Sequence, residues 1–217
     1  MKLLLYGAGG LAKETYDIVV RSYPEKYEKI YFIDDFVEEA EFYLSESIHF
    51  DSIKDKFKSF DDLEGVVAVG EPVYREKLSK KFDEIGIRLT TIIDKTALVS
   101  PMARIKEGAI IREFTSIQPT ADIGKSVLIQ PYCSIAHGTI IGDYSVISSN
   151  CTPGGDNTIG KRVFMGMNSS TKEKIHIEDD SILGMGSIVF RDVKTRTVVV
   201  GNPARITLGN NEHKVFD

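Results

Sequence analysis

A six-residue period runs through the back half of this chain and leaves few folds open to it. Stepping by six from Val99 lands on Ile105, Ile111, Ile117, Ile123, Ile129, Ile135, Ile141, Ile147, Pro153, Ile159, Met165, Thr171, Ile177, Leu183 and Val189. The phase never slips, and only Pro153 and Thr171 break the apolar rule. Four residues after most of these slots stands a small residue: Ala109, Thr115, Ala121, Cys133, Thr139, Ser145, Cys151, Ser169, Ser181, Ser187. Six residues on a helix return about 240° away, so no helix face can hold this pattern. A chain that turns a corner every six residues can. Each corner aims one aliphatic residue inward, the small residue leaves room beside it, and successive coils stack the aliphatics into ladders. The reading is a parallel β-helix.

The front of the chain has a different texture. Lys2–Tyr6 reads as a strand that runs into Gly7-Ala8-Gly9-Gly10-Leu11-Ala12. A helix is expected from Leu11 to about Arg21, with Leu11, Thr15, Ile18 and Val19 on one face. Lys29–Ile33 reads as a second strand ending at Asp34-Asp35, and Gly65–Gly70 as a buried parallel strand. Pro72 opens a helix with Tyr74, Leu78 and Phe82 at helical spacing, and Leu89–Ile93 reads as a further strand. Residues 36–62 are polar and carry no clear pattern. The alternation predicts a small Rossmann-like α/β domain over 1–94, followed by the β-helix domain with a C-terminal tail over 95–217.

Composition excludes several classes. The net charge is −5 and no basic block appears, so nucleic acid is not an expected partner. No apolar run reaches membrane-spanning length, and the opening run is too short for a signal peptide, so a cytoplasmic protein is expected. Cys133 and Cys151 share no metal-ligand spacing and occupy the small inward slot, so they read as buried hydrophobes rather than nucleophiles or metal ligands.

The motifs together resemble a known family. Leu-Tyr-Gly-Ala-Gly-Gly at 5–10, Ile-Asp-Asp-Phe at 33–36, Ala-Val-Gly at 68–70, Ser-Ile-Ala-His at 134–137, Asp-Asp-Ser-Ile-Leu-Gly at 179–184 and Val-Gly-Asn-Pro-Ala-Arg at 200–205 carry the likeness. The chain resembles, over nearly its whole length, the sialic-acid O-acetyltransferase-like family that includes the bacterial nucleotide-sugar N-acetyltransferases. That resemblance implies a left-handed β-helix, acetyl-CoA as co-substrate, and a homotrimer with active sites between subunits.

Gly7-x-Gly9-x-x-Ala12 follows a strand and opens a helix, the arrangement that lets a phosphate approach backbone N–H groups at a helix N-terminus. Asp34 or Asp35, at the end of the second strand, can accept ribose hydroxyls. The resemblance implies that Gly9, Gly10, Leu11, Asp34, Asp35 and Gly70 hold a UDP-type nucleotide sugar. A tight turn needed only for packing produces the same glycine pattern. Leu11 stands where family members often carry a polar residue, commonly His.

Acetyl transfer from a thioester needs a base to relieve the acceptor of its proton, and histidine titrates in the useful range. His137 lies two residues after core Ile135, at a coil edge, and matches the family's catalytic histidine. His176, beside core Ile177, reads as structural. The resemblance further implies that the Gly155 backbone N–H stabilises the tetrahedral oxyanion, and that Val146, Gly155, Met167, Met185, Asn202 and Arg205 contact acetyl-CoA. Two departures stand out. Gly138 takes the place of the carboxylate that commonly follows the catalytic histidine, and Val146 replaces a second histidine nine residues on. Asp122, Asp143 or Asn150, from a neighbouring coil or subunit, are candidates to orient His137.

Three functions follow as expectations. The first is acetyl transfer to the amino group of a nucleotide-linked amino sugar in surface-glycan precursor synthesis. The second is O-acetylation of sialic acid or a related sugar. The third is a catalytically weak or inactive nucleotide-sugar-binding protein.

Overall fold

A computed structural model describes residues 1–36 and 40–216. The front domain is a six-stranded sheet. Its strands are β1 (Lys2–Tyr6), β2 (Lys29–Ile33), β3 (Ala40–Phe42), β4 (Ser45–Ile48), β5 (Leu63–Val67) and β6 (Arg88–Leu89), in the order β3-β4-β2-β1-β5-β6. All neighbours are parallel except β3 and β4. Helix α1 (Gly10–Ser22) follows β1, a short α2 (Ile53–Lys56) precedes β5, and α3 (Pro72–Glu84) follows it. The strand expected at 65–70 ends at Val67, because Ala68 onward leaves the ladder to form the loop that faces the glycine turn. The strand expected at 89–93 is two strands. Leu89 pairs in the front sheet, whereas Ile92 and Ile93 pair with Ile110 and Ile111 in the β-helix.

From Ile92 onward the chain winds in coils of three short rungs. Most rungs pair in parallel with the residue eighteen positions on, as Ile110 with Leu128 and Ser116 with Ser134. Three faces result. The first runs through 92–93, 110–111, 128–129, 146–147, 164–165 and 182–183. The second carries 98–99, 116–117, 134–135, 170–171 and 188–189, and the third 104–105, 122–123, 140–141, 158–159 and 176–177. The inward ladder is buried as its period requires, with Ile111, Ile123, Ile129, Ile135 and Ile147 at 0% exposure. Each such side chain contributes about 1.5–3 kcal/mol.

The small slot does more than make room. Thr115, Thr139 and Ser145 donate side-chain hydrogen bonds to the carbonyls of Gln130, Gly154 and Gly160, each fifteen residues on. The thiols of Cys133 and Cys151 reach Ser148 O and Gly166 O in the same way. Corner carbonyls that point into the core are thereby satisfied.

From residue 108 to 186 each corner also carries one residue with positive φ, at 108, 114, 120 and so on in steps of six. Only three of these fourteen are glycine, at 108, 138 and 186. The other eleven each bear a cost of about 1–2 kcal/mol that stacking offsets. Most of these corner N–H groups donate to the preceding coil, as Asp156 does to His137 O at 2.9 Å.

The front domain docks on the first face. Outward-facing Ile92, Ile110, Leu128 and Val146 merge with Leu3, Ala12, Val19 and Val66 in one buried cluster. Arg21 pairs with Asp94, and Arg112 with Glu14, at its rim. The inner side of α3 is not the Tyr74–Leu78–Phe82 stripe. Tyr74 is exposed, and Pro72, Arg75, Ser79 and Phe82 are buried. Two polar members turn inward because the β-helix corner at Ser126 offers them partners. Arg75 donates to Ser126 O and Ser79 bonds Ser126 Oγ. The chain closes with a hairpin, Thr197–Val200 against Arg205–Gly209, and a tail whose Val215 and Phe216 N–H groups donate to buried Glu71. No described helix is long and apolar enough to cross a membrane.

Candidate active site

His137 stands on the corner between the second and third faces, after the rung Ser134–Ile135, with its side chain 68% exposed. Eighteen residues on, directly beneath it, lies Gly155. The imidazole rests on that glycine: a Cβ at 155 would stand 2.9 Å from Cε1 and 3.0 Å from Nε2. The chain is free to do this here because Pro153 interrupts the second face. Pro153 has no N–H, and Thr152 keeps only a single bridge, to Ser170. Among the described residues the Gly155 N–H has no partner, while its carbonyl accepts from Lys174 N. An imidazole and an unpaired backbone N–H thus share one exposed corner, groups of the kinds that acyl transfer uses as base and oxyanion donor.

The acidic neighbour of His137 is one that the sequence reading did not name. Asp156 Oδ1 lies 3.7 Å from His137 Nδ1. The three candidates fall elsewhere. Asp122 pairs with Arg104 at 2.9 Å, and Asp143 accepts from Lys125 N at 2.9 Å. Asn150 sits on the corner between the first and second faces. The stacking interval of eighteen was the signal available, since it places 155 and 156 beneath 137 and 138. His176, read as structural, is exposed on the third face.

The remaining expected acetyl-CoA contacts do not gather at this corner within one chain. Val146 is at 0% exposure beneath the front domain, packed in the cluster around α1, so its side chain is closed to a co-substrate. Met167 and Met185 stack on the corner between the first and second faces, 45% and 70% exposed. Asn202 and Arg205 are exposed in the C-terminal hairpin, and the Arg205 side chain donates to its neighbour's carbonyl, Ala204 O.

At the front domain, Gly7 and the glycines after it serve different ends. Gly7 has φ +127° and lies against Ala68 O, where a Cβ would stand at 2.8 Å. It is needed for the turn. Gly9, Gly10 and Gly70 face open space, with nothing within 4 Å of a notional Cβ, which suits approach of a ligand to the N-terminus of α1. Beside this loop is a pocket of about 300 Å³ lined by Gly7, Asp34, Asp35, Phe36, Tyr74 and Lys77, among others. Asp34 accepts from Phe36 N, and Asp35 is held by Tyr6 Oη and by Lys81 Nζ at 2.6 Å. Burial and the hydrogen bond to Asp35 both push the Tyr6 phenol up, so it stays a donor. Leu11 is half-buried at the edge of the apolar cluster.

Comparison with known proteins agrees with this organisation. Residues 2–82 match the PglD N-terminal domain, 120–152 the bacterial transferase hexapeptide (six repeats), and 157–191 the hexapeptide repeat of succinyl-transferase. Among curated proteins, serine acetyltransferase 3, mitochondrial, of Arabidopsis thaliana is 39% identical over 59 residues, which span 27% of this chain and 15% of that protein. The acetyltransferase domain of PglB from Neisseria gonorrhoeae superposes with a TM-score of 0.89 at 22% identity, covering 95% of this chain and 99% of that one. A variant of GDP-perosamine N-acetyltransferase from Caulobacter crescentus, in complex with CoA and GDP-perosamine, gives 0.86 at 22% identity over 95% and 97%. WeeI from Acinetobacter baumannii gives 0.72 at 22% identity over 95% and 100%. The expected fold class is therefore the one the chain has: a small α/β domain over the residues that match the PglD N-terminal domain, joined to a left-handed β-helix over those that match the hexapeptide repeats.

Proposed function

We propose that this protein is an acetyltransferase that moves an acetyl group from acetyl-CoA to the amino group of a nucleotide-linked amino sugar. The observation that carries the reading is the His137–Gly155 pair, an exposed imidazole lying against a backbone whose N–H is free. On this reading His137 Nε2 takes the proton from the acceptor nitrogen as that nitrogen attacks the thioester carbonyl. The Gly155 N–H donates to the oxyanion, and collapse of the intermediate expels the thiolate, which receives the proton from the imidazolium. The open loop at Gly9, Gly10 and Gly70 and the adjoining pocket suit the nucleotide part of the acceptor. Structurally similar proteins bind acetyl-CoA, or CoA with GDP-perosamine, which supports the same pair of substrates here. O-acetylation of a free sugar leaves that front site without a role.

The position of the two sites bears on assembly. The front domain covers the first face, and His137 stands on the opposite edge of the three-sided coil. A sugar held at one chain's front domain therefore needs a histidine from another copy. This supports a homotrimer with active sites at subunit interfaces, and it provides a way for Met167 and Met185 of one copy to meet His137 of the next. The reading places the enzyme in the cytoplasm, in the synthesis of surface-glycan precursors.

The experiment is release of free thiol from acetyl-CoA with a panel of nucleotide-linked amino sugars. One or more should give His137-dependent turnover, and His137→Ala should lower kcat by about 10²–10⁴-fold. No thiol above background with any of them, or turnover indifferent to His137→Ala, rejects the reading.

A further inference from the structure

Four residues on two adjacent coils form a small square: His137 and Gly138 on one coil, Gly155 and Asp156 on the next. The two glycines sit on its diagonal, and each makes room for the side chain across from it. Gly155 accommodates the imidazole, as described above. Gly138 accommodates the carboxylate: a Cβ at 138 would stand 2.1 Å from Asp156 Oδ1 and 3.2 Å from its Cγ. No side chain at 138 is compatible with Asp156 where it stands.

Backbone conformation does not by itself explain the glycine. Gly138 has φ +67°, but the equivalent positions one coil before and after are Thr120 at +65° and Asp156 at +57°. Non-glycine residues occupy this corner position on either side, so space for the carboxylate is the feature peculiar to 138. The corner is also fixed from both sides. The Gly138 N–H donates to Thr120 Oγ1 at 3.1 Å, and the Asp156 N–H donates to His137 O at 2.9 Å. The backbone bond from 156 to 137 holds the carboxylate in register with the ring, leaving only χ rotation to bring Oδ1 from 3.7 Å to hydrogen-bond distance. The charged residues on the following coil at this corner are Glu173 and Lys174, and the Lys174 backbone N–H donates to Gly155 O.

We propose that Asp156 is the positioning residue for His137, supplying across the coil the carboxylate that the sequence lacks at 138. Accepting from Nδ1–H, it fixes the tautomer that leaves Nε2 unprotonated and facing the acceptor, and it stabilises the imidazolium formed during transfer. Gly138 is the enabling residue, because the acid can come from 156 only if 138 has no side chain. The assignment of Nε2 as the base rests on the acetyltransferase reading; the orientation of the ring by Asp156 does not.

Two measurements test it, and only one needs activity. Nitrogen-15 shifts of histidine-labelled protein, with the His137 signals identified by their loss in His137→Ala, report the tautomer directly. The native protein should show the Nδ1–H form, and Asp156→Asn a mixture. In the transfer assay Asp156→Asn should lower kcat about 10- to 100-fold and leave KM for the sugar within about 3-fold. The relocation variant Gly138→Asp/Asp156→Gly should recover most of that loss, whereas Gly138→Asp alone, with both carboxylates in one space, should itself fall below the native rate. A purely structural role for Asp156 predicts no such recovery. A native tautomer in Asp156→Asn overturns the proposal whether or not the protein transfers acetyl groups; so does native kcat, or failure of the relocated carboxylate to restore any of it.

Discussion

The ring of His137 lies on the Cα of Gly155 so closely that the two positions are sterically one unit. An added methyl group would meet the imidazole at 2.9 Å. Gly155→Ala is accordingly expected to displace the base without unfolding the coil, because Gly155 has no positive φ and the atoms it would strike belong to an exposed side chain. Turnover should fall on the order of 100-fold, with Tm close to that of the unaltered protein. Native kcat in Gly155→Ala would show that the contact plays no part in transfer.

Arg75 ties the two domains together from within. It is completely buried, its guanidinium donates to Val67 O, Val69 O and Ser126 O, and among the described residues no carboxylate pairs with it. Burial pushes its pKa down to about 9, but the three carbonyls favour the charged form. Removing it strands those carbonyls at the domain junction. Arg75→Ala should cost about 3 kcal/mol or more in urea unfolding. A loss under about 1 kcal/mol would mean that water or a shifted neighbour replaces the guanidinium.

Glu64 makes part of the stability pH-dependent. Burial pushes its carboxyl up, but hydrogen bonds from Lys26, Tyr27 and Thr90 outweigh that and bring it down to about 2. Arg88 adds an ion pair at 2.8 Å. A carboxyl with a depressed folded pKa contributes stability above its unfolded value, here 4.5, and loses it as pH falls toward about 2. Glu64→Gln should therefore lower the unfolding free energy at pH 7, by up to about 3 kcal/mol, and narrow the difference between pH 7 and pH 3. Equal pH dependence in both proteins would contradict this assignment.

The two cysteines should be chemically silent in the native state. Both are at 1% exposure or less and bond to core carbonyls, and the neighbouring Cys151, with burial, pushes the Cys133 thiol up. Ellman's reagent should find neither thiol until denaturant is added. Reaction on the native timescale would indicate that the coil opens around residues 133–151.

Most of the architecture was legible because it repeats. A hexad is a local signal of burial, and a buried inward ladder with a small partner is what Ile111 to Val189 became. The docking face was legible in the same way but went unread. Ile92, Ile110, Leu128 and Val146 are apolar at an interval of eighteen and point outward, so a second apolar period marked the face that another body must cover. Val146 belongs to that period rather than to a co-substrate contact. The inner stripe of α3 departs from the Tyr74–Leu78–Phe82 spacing because its inner face holds Arg75 and Ser79, whose partners lie on a different domain.

The sequence by itself determined that the chain coils, where it turns, and which residue of each hexad faces inward, because burial imposes a period that needs no knowledge of contacts. The tertiary structure decided which corner residues meet. His137, Gly155 and Asp156 come together only because stacked coils bring positions eighteen and nineteen apart into contact. Whether a side chain fits there depends on where its neighbour in the next coil lacks a Cβ. Gly138 reads in sequence as a missing carboxylate, and in space it is the opening that Asp156 fills.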